Sequence, residues 1–284
     1  MELQGHSGCK LYIEDLDGCK VVKKISADIS YNSRLIKQMQ KQCRQRLDGF
    51  EECKVYSEGY EDGLFSFVME YVNGTTFADK ISCISLCEID HYVDMLIRNY
   101  KEFQEINAEA KRIFDKKIHE VYKSIKDSRS IASEYQTRLL QSFDSIMGYS
   151  WKYVIKSECH GDMTFENIMV KNMRLYLIDY LDSFYDSWMI DAAKLLQDAD
   201  LMWSYRNKSK DSNLIVRLTV FRDTLIDKIL SMFEGENILD TIYHILLLNT
   251  LRICPYSYNE EDIDFLIKSI DRINKKIRMR EWKD

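Results

Sequence analysis

The residues best placed to do chemistry are Asp162 in His160-Gly161-Asp162, Asn167 five positions on, and Asp179 twelve positions beyond that. Asp162 is a carboxylate that can orient a hydroxyl and accept its proton. An ordinary pKa suffices, because in a loose phosphoryl transition state the proton leaves late. Asn167 offers a neutral amide oxygen and Asp179 a charged one, the hard donors that magnesium takes at short, fixed distances. His160 reads as a structural imidazole that holds the loop, and Gly161 permits the tight backbone that presents Asp162. Together these are the parts needed to align a hydroxyl, screen phosphates and hold metal ions, which is what phosphoryl transfer asks of a protein.

The elements around them must supply the rest. The chain has 284 residues, 45% hydrophobic and 30% charged, enough for one large domain or two lobes with a substantial core. A net charge of -6 and a pI near 5.5 argue against a nucleic-acid binder that works by neutralising phosphates. No apolar run reaches the roughly 18–20 residues that span a bilayer. The N-terminus shows no signal-peptide pattern. The eight cysteines form no Cys-x-x-Cys pair, so reduced core thiols are expected rather than a zinc site, in a cytoplasmic protein. Seven of ten glycines lie at or before Gly74, and the single proline is Pro255. That asymmetry suggests a strand-rich N-terminal part and a helical remainder.

Lys10–Glu14 and Cys19–Ser26 read as strands around a turn ending at Gly18, and Tyr31–Leu47 as a helix with a Leu35, Met39, Cys43 stripe. Cys53–Ser57 and Leu64–Tyr71 read as strands joined by a turn holding Gly59 and Gly63. Asn73-Gly74 follows as a hinge, dividing the chain into residues 1–73 and 74–284. Helices are expected over Ser85–Ile106, Ala108–Lys126 and Ser130–Met147. After the Asp162 loop comes a hairpin of Ile168–Val170 and Arg174–Ile178. Helices resume over Trp188–Leu201, Asp211–Phe233, Asn237–Arg252 and Asn259–Lys276.

His160-Gly161-Asp162-x-x-x-x-Asn167, then Ile178-Asp179, then Asp191-Ala192-Ala193, resembles the aminoglycoside phosphotransferase and choline kinase superfamily. Protein kinases have His-Arg-Asp where this chain has His-Gly-Asp, and Leu181 stands where their Asp-Phe-Gly glycine would be. The resemblance implies an α+β, protein-kinase-like two-lobe fold: a small antiparallel-sheet N-lobe that binds nucleotide, and a large, mostly helical C-lobe for catalysis and acceptor. It implies ATP and Mg2+ as cofactors, Asp162 as catalytic base, Asn167 and Asp179 as metal ligands, and Asp191 as a supporting carboxylate near His160. The segment around Leu181-Asp182-Ser183 and Lys194–Asp198 is also similar to bacterial phosphotransferases associated with surface-polysaccharide genes, which would favour a sugar-like alcohol.

The N-terminal part offers matching pieces. Ser7 and Gly8, in Gly5-His6-Ser7-Gly8, could cover phosphates from the start of the first strand. Val21-Val22-Lys23-Lys24 resembles the kinase phosphate-lysine strand. Alternation puts Val22 and Lys24 on one face and turns Lys23 to solvent. The following helix has no acidic residue to pair with Lys24. Gln38 and Gln42 are the nearest substitutes, unless they simply face water. Met69 would lie behind an adenine, with the Glu70 carbonyl and Val72 amide pairing its edge.

The acceptor is less legible. Glu166, Asp182, Asp186, Tyr180, Phe184, Tyr185 and Trp188 lie near Asp162 in sequence, a mixture that suits a cationic amine or a sugar face. Asp182 and Asp186 also read as turn and cap residues. Arg252, ahead of Pro255, reads as a cation at a helix C-terminus or as a group facing an anionic acceptor. The expected activity is transfer of the ATP γ-phosphate to a hydroxyl of a small molecule: a sugar, an amino alcohol such as choline, or an aminoglycoside. The alternative is a nucleotide-binding pseudokinase acting through partners.

Overall fold

The computed structural model describes residues 2–3, 8–100, 108–233, 237–257 and 259–283. The N-terminal part contains β1 (Glu2–Leu3), β2 (Lys10–Leu16), β3 (Cys19–Ile25), α1 (Asn32–Arg44), β4 (Phe50–Glu51), β5 (Val55–Glu61), β6 (Leu64–Glu70) and β7 (Thr75–Thr76). Five of these strands form an antiparallel sheet in the order β1-β2-β3-β6-β5. Its hairpins close on Asp17-Gly18 and Asp62-Gly63, all four residues in the left-handed region. Such turns match the twist of the flanking strands. Gly59 belongs to β5, opposite Ser66, and not to the turn, because the strand runs on to Glu61.

Helices fill the remainder: α2 (Phe77–Lys80), α3 (Leu86–Leu96), α4 (Ala108–Lys126), α5 (Ser133–Gln141), then β8 (Ile168–Lys171) and β9 (Arg174–Leu177), then α6 (Trp188–Ala199), α7 (Ser212–Met232), α8 (Asn237–Ile253) and α9 (Glu260–Met279). The α+β, kinase-like two-lobe architecture is thus present. The helix expected from Ser85 ends at Leu96, and its expected stretch over 101–106 lies outside the described residues. Ser85 and Glu88 form a reciprocal capping box that starts it. Among the described residues no helix is long and apolar enough to cross a membrane.

Two apolar cores result. The smaller lies under the five-stranded sheet and includes Val22, Leu35, Met39, Phe67 and Met69. The buried face of α1 is Leu35, Gln38, Met39 and Gln42, with Cys43 exposed, so the expected stripe keeps Leu35 and Met39 but turns toward the glutamines instead of Cys43. The larger core is centred on α6 and α8. Eleven of the twelve α6 residues are buried, Lys194 being the exception. Residues of α8 from Ile238 to Leu251 are buried all round. A buried carboxylate, Asp200, ties this bundle together. It accepts from Tyr243 Oη at 3.0 Å and pairs with Arg272 at 2.8 Å and Arg222 at 3.4 Å.

A second sheet, β4-β9-β8-β7, joins the parts in a way the sequence did not suggest. β4 runs parallel to β9, and β7 pairs with β8. Gly74 enters this sheet so closely that a Cβ on it would lie 2.4 Å from the Val170 carbonyl oxygen, whereas one on Gly59 would meet nothing within 4 Å. Gly74→Ala should therefore cost about 2 kcal/mol or more in urea unfolding, and Gly59→Ala less than about 1 kcal/mol. Equal effects would contradict this packing.

Candidate active site

The loop at His160 is held by α6. Asp191, in its first turn, is 2% exposed. Its two carboxylate oxygens accept the His160 and Gly161 backbone N–H groups, each at 2.7 Å. Gly161 has φ +89, and a Cβ there would sit 2.2 Å from Ser183 Oγ and 3.0 Å from the Leu181 oxygen. Both the backbone angle and the space demand glycine. Two turns further along α6, Asp198 repeats the device. It is fully buried and accepts from Phe165 N at 2.6 Å, Ser204 N at 2.9 Å and Ser204 Oγ at 2.7 Å.

His160 is fully buried. Its Nε2 lies 2.8 Å from the Ile178 carbonyl oxygen, and its Nδ1 accepts the Asp162 backbone N–H at 3.2 Å. These contacts require a neutral ring protonated on Nε2. Burial agrees, pushing the His160 pKa down to about 4. The Leu181 N–H returns to the His160 carbonyl at 3.1 Å, and Ile178 N–H to the Asn167 carbonyl at 3.1 Å. The loop and the strand end carrying Asp179 are thereby zipped side by side.

Asp162, Asn167, Asp179 and Lys24 converge there. Asn167 Nδ2 donates to the Asp162 carbonyl at 2.8 Å and to Asp162 Oδ2 at 3.2 Å, an orientation that commits the amide nitrogen and turns Oδ1 to other uses. Asp162 Oδ1 is 3.0 Å from Lys194 Nζ on α6. Burial raises the Asp162 carboxyl, but Lys194 and the more distant Arg252 outweigh it and hold it below the usual carboxylate range. Asp179, with φ +63, forms an ion pair with Lys24 across the two parts of the chain. Strand register explains why Lys24 points inward: it faces Phe67, as Val22 faces Met69, on the buried side of β3 and β6. Lys23 lies on the other face and pairs with Glu61.

The other expected residues are placed as follows. Gly8 stands ahead of β2 with φ +74, and Ser7 lies outside the described residues. Met69 is buried; Glu70 N–H donates to the Lys54 carbonyl at 2.8 Å; the Val72 carbonyl accepts from Gly74 N–H at 2.9 Å. Gln38 and Gln42 are both buried rather than facing water. Gln42 Nε2 donates to the Cys53 carbonyl at 2.9 Å, and Gln38 Oε1 has no hydrogen-bond partner among the described residues. Neither pairs with Lys24, whose carboxylate partner is Asp179.

Three residues that support the site were not assigned a role from sequence. Lys41 on α1 reaches the segment after Asp179, donating to the Leu181 carbonyl at 3.0 Å, Ser183 Oγ at 3.1 Å and Asp186 Oδ1 at 2.7 Å. Burial works against its charge, yet the surrounding acceptors hold its pKa above the usual lysine value. Lys194 and Asp198 complete the set. Their spacing from Asp191, three and seven residues on one helix, was a usable signal.

The donor set fits magnesium. Asp179 and Asn167 supply one carboxylate and one amide oxygen, and the Asp179 side chain is about a third exposed, open to a phosphate-bound ion.

The phosphotransferase enzyme family matches the chain over residues 7–211. The chain belongs to that family. No curated protein matches it in sequence. Among solved structures, an aminoglycoside phosphotransferase APH(4)-Ia in complex with AMP-PNP and hygromycin B is similar at 14% identity, with a TM-score of 0.62, over 99% of this chain and 94% of that one. Choline kinase LicA from Streptococcus pneumoniae is similar at 18% identity, with a TM-score of 0.53, over 97% and 93%. Amicoumacin kinase hAmiN gives 12%, 0.55, 99% and 88%. At these identities the likeness establishes a shared kinase-like fold.

His160 also sets a pH signature. Its folded pKa of about 4 lies below its ordinary 6.5, so its contribution is complete above 6.5 and is lost as pH falls toward 4. Asp191 and Asp198, raised by burial to about 7 and about 6, act in the opposite sense over that range. The stability difference between the wild type and His160→Gln isolates the histidine. It should shrink by about 2 kcal/mol between pH 7.5 and pH 5 in paired urea titrations. A difference independent of pH would show that His160 is not held neutral.

Proposed function

We propose that this phosphotransferase transfers the γ-phosphoryl group of ATP to a hydroxyl of a small molecule. The observation that carries the reading is the convergence of Lys24, Asp179, Asn167 and Asp162 from three separate segments, with Asp191 beneath them. In this reading residues 1–73 form the nucleotide-binding lobe and residues 74–284 the catalytic and acceptor-binding lobe. Lys24 binds the α- and β-phosphates, Ser7 and Gly8 cover them, and Met69, Glu70 and Val72 receive the adenine. Asn167 and Asp179 hold magnesium, which when bound neutralises charge on the phosphates.

Asp162 orients the acceptor hydroxyl and takes its proton. The hydroxyl oxygen forms a bond to the γ-phosphorus as the bond to the bridging oxygen breaks, and ADP leaves with that electron pair. The pKa of Asp162, held low, suits a late proton transfer rather than formation of a free alkoxide. Binding of AMP-PNP by structural neighbours supports the nucleotide assignment. Hygromycin B and choline, named with such neighbours, mark the size of acceptor: a sugar, an amino alcohol or an aminoglycoside. ATP as donor supports a cytoplasmic activity.

Asp162→Asn should lower acceptor-dependent ATP consumption by roughly 10²–10⁴-fold while ATP still binds. Unchanged turnover would remove Asp162 as the base. ATP binding with no turnover by the wild type, across sugars, amino alcohols and aminoglycosides, would favour the pseudokinase. Lys24→Ala and Asp179→Asn should each weaken magnesium-dependent nucleotide binding by roughly tenfold or more in calorimetry, and Lys23→Ala should not. Equal losses for the two lysines would sink the phosphate assignment.

A further inference from the structure

The acidic side chains that sequence placed near the acceptor are already engaged within the chain. Asp186 pairs with Lys41 at 2.7 Å and Asp182 with Lys37 at 3.3 Å, and Glu166 also has a partner. Tyr180, Tyr185 and Trp188 are buried in the core. Phe184 is the half-buried ring that remains, and it is flanked by cations. The Arg252 guanidinium lies 5.2 Å from its centroid and Lys117 Nζ 5.8 Å.

Arg252 is the informative group. It lies in the last turn of α8, over the Phe184 ring. Lys117 has a carboxylate partner, Glu120, at 2.7 Å. Among the described residues Arg252 has no salt bridge; its hydrogen bond goes to the neutral Asn249 Oδ1 at 3.2 Å. Burial pushes its pKa down, and the Asp162 carboxylate is the largest influence in the other direction. Arg252 is half-buried and has no carboxylate within salt-bridge distance among the described residues, so much of its charge stays available to a ligand. Stacking on an aromatic face leaves its remaining N–H groups for a planar or tetrahedral anion. Lys194, 11% exposed and 3.0 Å from Asp162, adds a second cation on the same carboxylate.

We propose that the acceptor carries an anionic group, a phosphate or carboxylate, in addition to its reacting hydroxyl, and that Arg252 beside Phe184 binds that group. The inference rests on the small-molecule kinase reading. It selects against choline-like and aminoglycoside acceptors, whose cationic amines would meet Arg252 and Lys194 with like charge. Within the acceptor range, it favours a sugar phosphate, sugar acid or hydroxy acid.

The test is ATP consumption by the magnesium-loaded full chain over three sets of acceptors: glycerol 3-phosphate, glycerate, ribose 5-phosphate and glucuronate; glycerol and glucose; choline, ethanolamine and kanamycin. An anionic member should turn over best. Arg252→Gln should raise its KM by roughly 10- to 100-fold with nucleotide affinity retained, and Arg252→Lys should recover part of the loss. Inorganic sulfate should inhibit the wild type competitively against acceptor and not against ATP, a readout that stands even if Arg252→Gln does not fold. Turnover confined to neutral or cationic acceptors, an anionic acceptor insensitive to Arg252→Gln, or no competition by sulfate would overturn the proposal while leaving the kinase reading intact. Failure of the wild type to bind ATP would instead overturn the kinase reading itself.

Discussion

The two oxygens of Asp191 are occupied by the two backbone N–H groups that precede Asp162, and the site depends on that contact. A carboxylate with 2% exposure meets little competition from water for these donors. It also sits on α6, the most enclosed helix of the larger core, so the loop inherits the rigidity of that core. Gly161 completes the fit by letting the backbone turn against Ser183 and Leu181 where a side chain would collide. Losing the carboxylate would strand two buried donors, each worth about 1–3 kcal/mol, at the point where Asp162 is aimed. Asp198 holds the other end of the loop through Phe165 in the same way.

Above this anchor the site is organised by lysine–carboxylate pairs drawn from different elements. Lys24 from β3 holds Asp179, Lys194 from α6 holds Asp162, and Lys41 from α1 holds Asp186. Two of the three bridge the N-terminal part and the segment after Asp162. Because these pairs are partly shielded, each costs desolvation and each constrains geometry more than it stabilises. Helix α1 carries no acid, so Lys24 has Asp179 as its carboxylate, and the buried Gln42 bonds the Cys53 carbonyl instead. The phosphotransferase family membership and the kinase-like fold are consistent with this arrangement.

Much of the site was legible because it is local in sequence. The spacing of Asp162, Asn167 and Asp179 survives into space since one short loop and one hairpin carry all three. Alternation along β3 separated Lys24 from Lys23 because a strand has a period of two and one face is buried. Less legible were the α1 face, where glutamines are buried and Cys43 is not, and the β4–β9 pairing. Two-residue strands leave almost no periodic signal, and a parallel pair formed between residues over a hundred positions apart is set by the cores on either side.

The sequence by itself determined the chemical inventory and its order: the Asp162 carboxylate, the oxygens of Asn167 and Asp179, the inward Lys24 and a supporting Asp191 on the next helix. Tertiary structure decided which charges remain available once the chain has folded. Asp182 and Asp186, acceptor-side acids by position, are drawn to Lys37 and Lys41, whereas Arg252, some ninety residues from Asp162, is brought to Phe184. Ion pairing is a contest among all neighbours in space, governed by distance and desolvation. Its outcome is fixed only when the helices that carry the competing charges are packed.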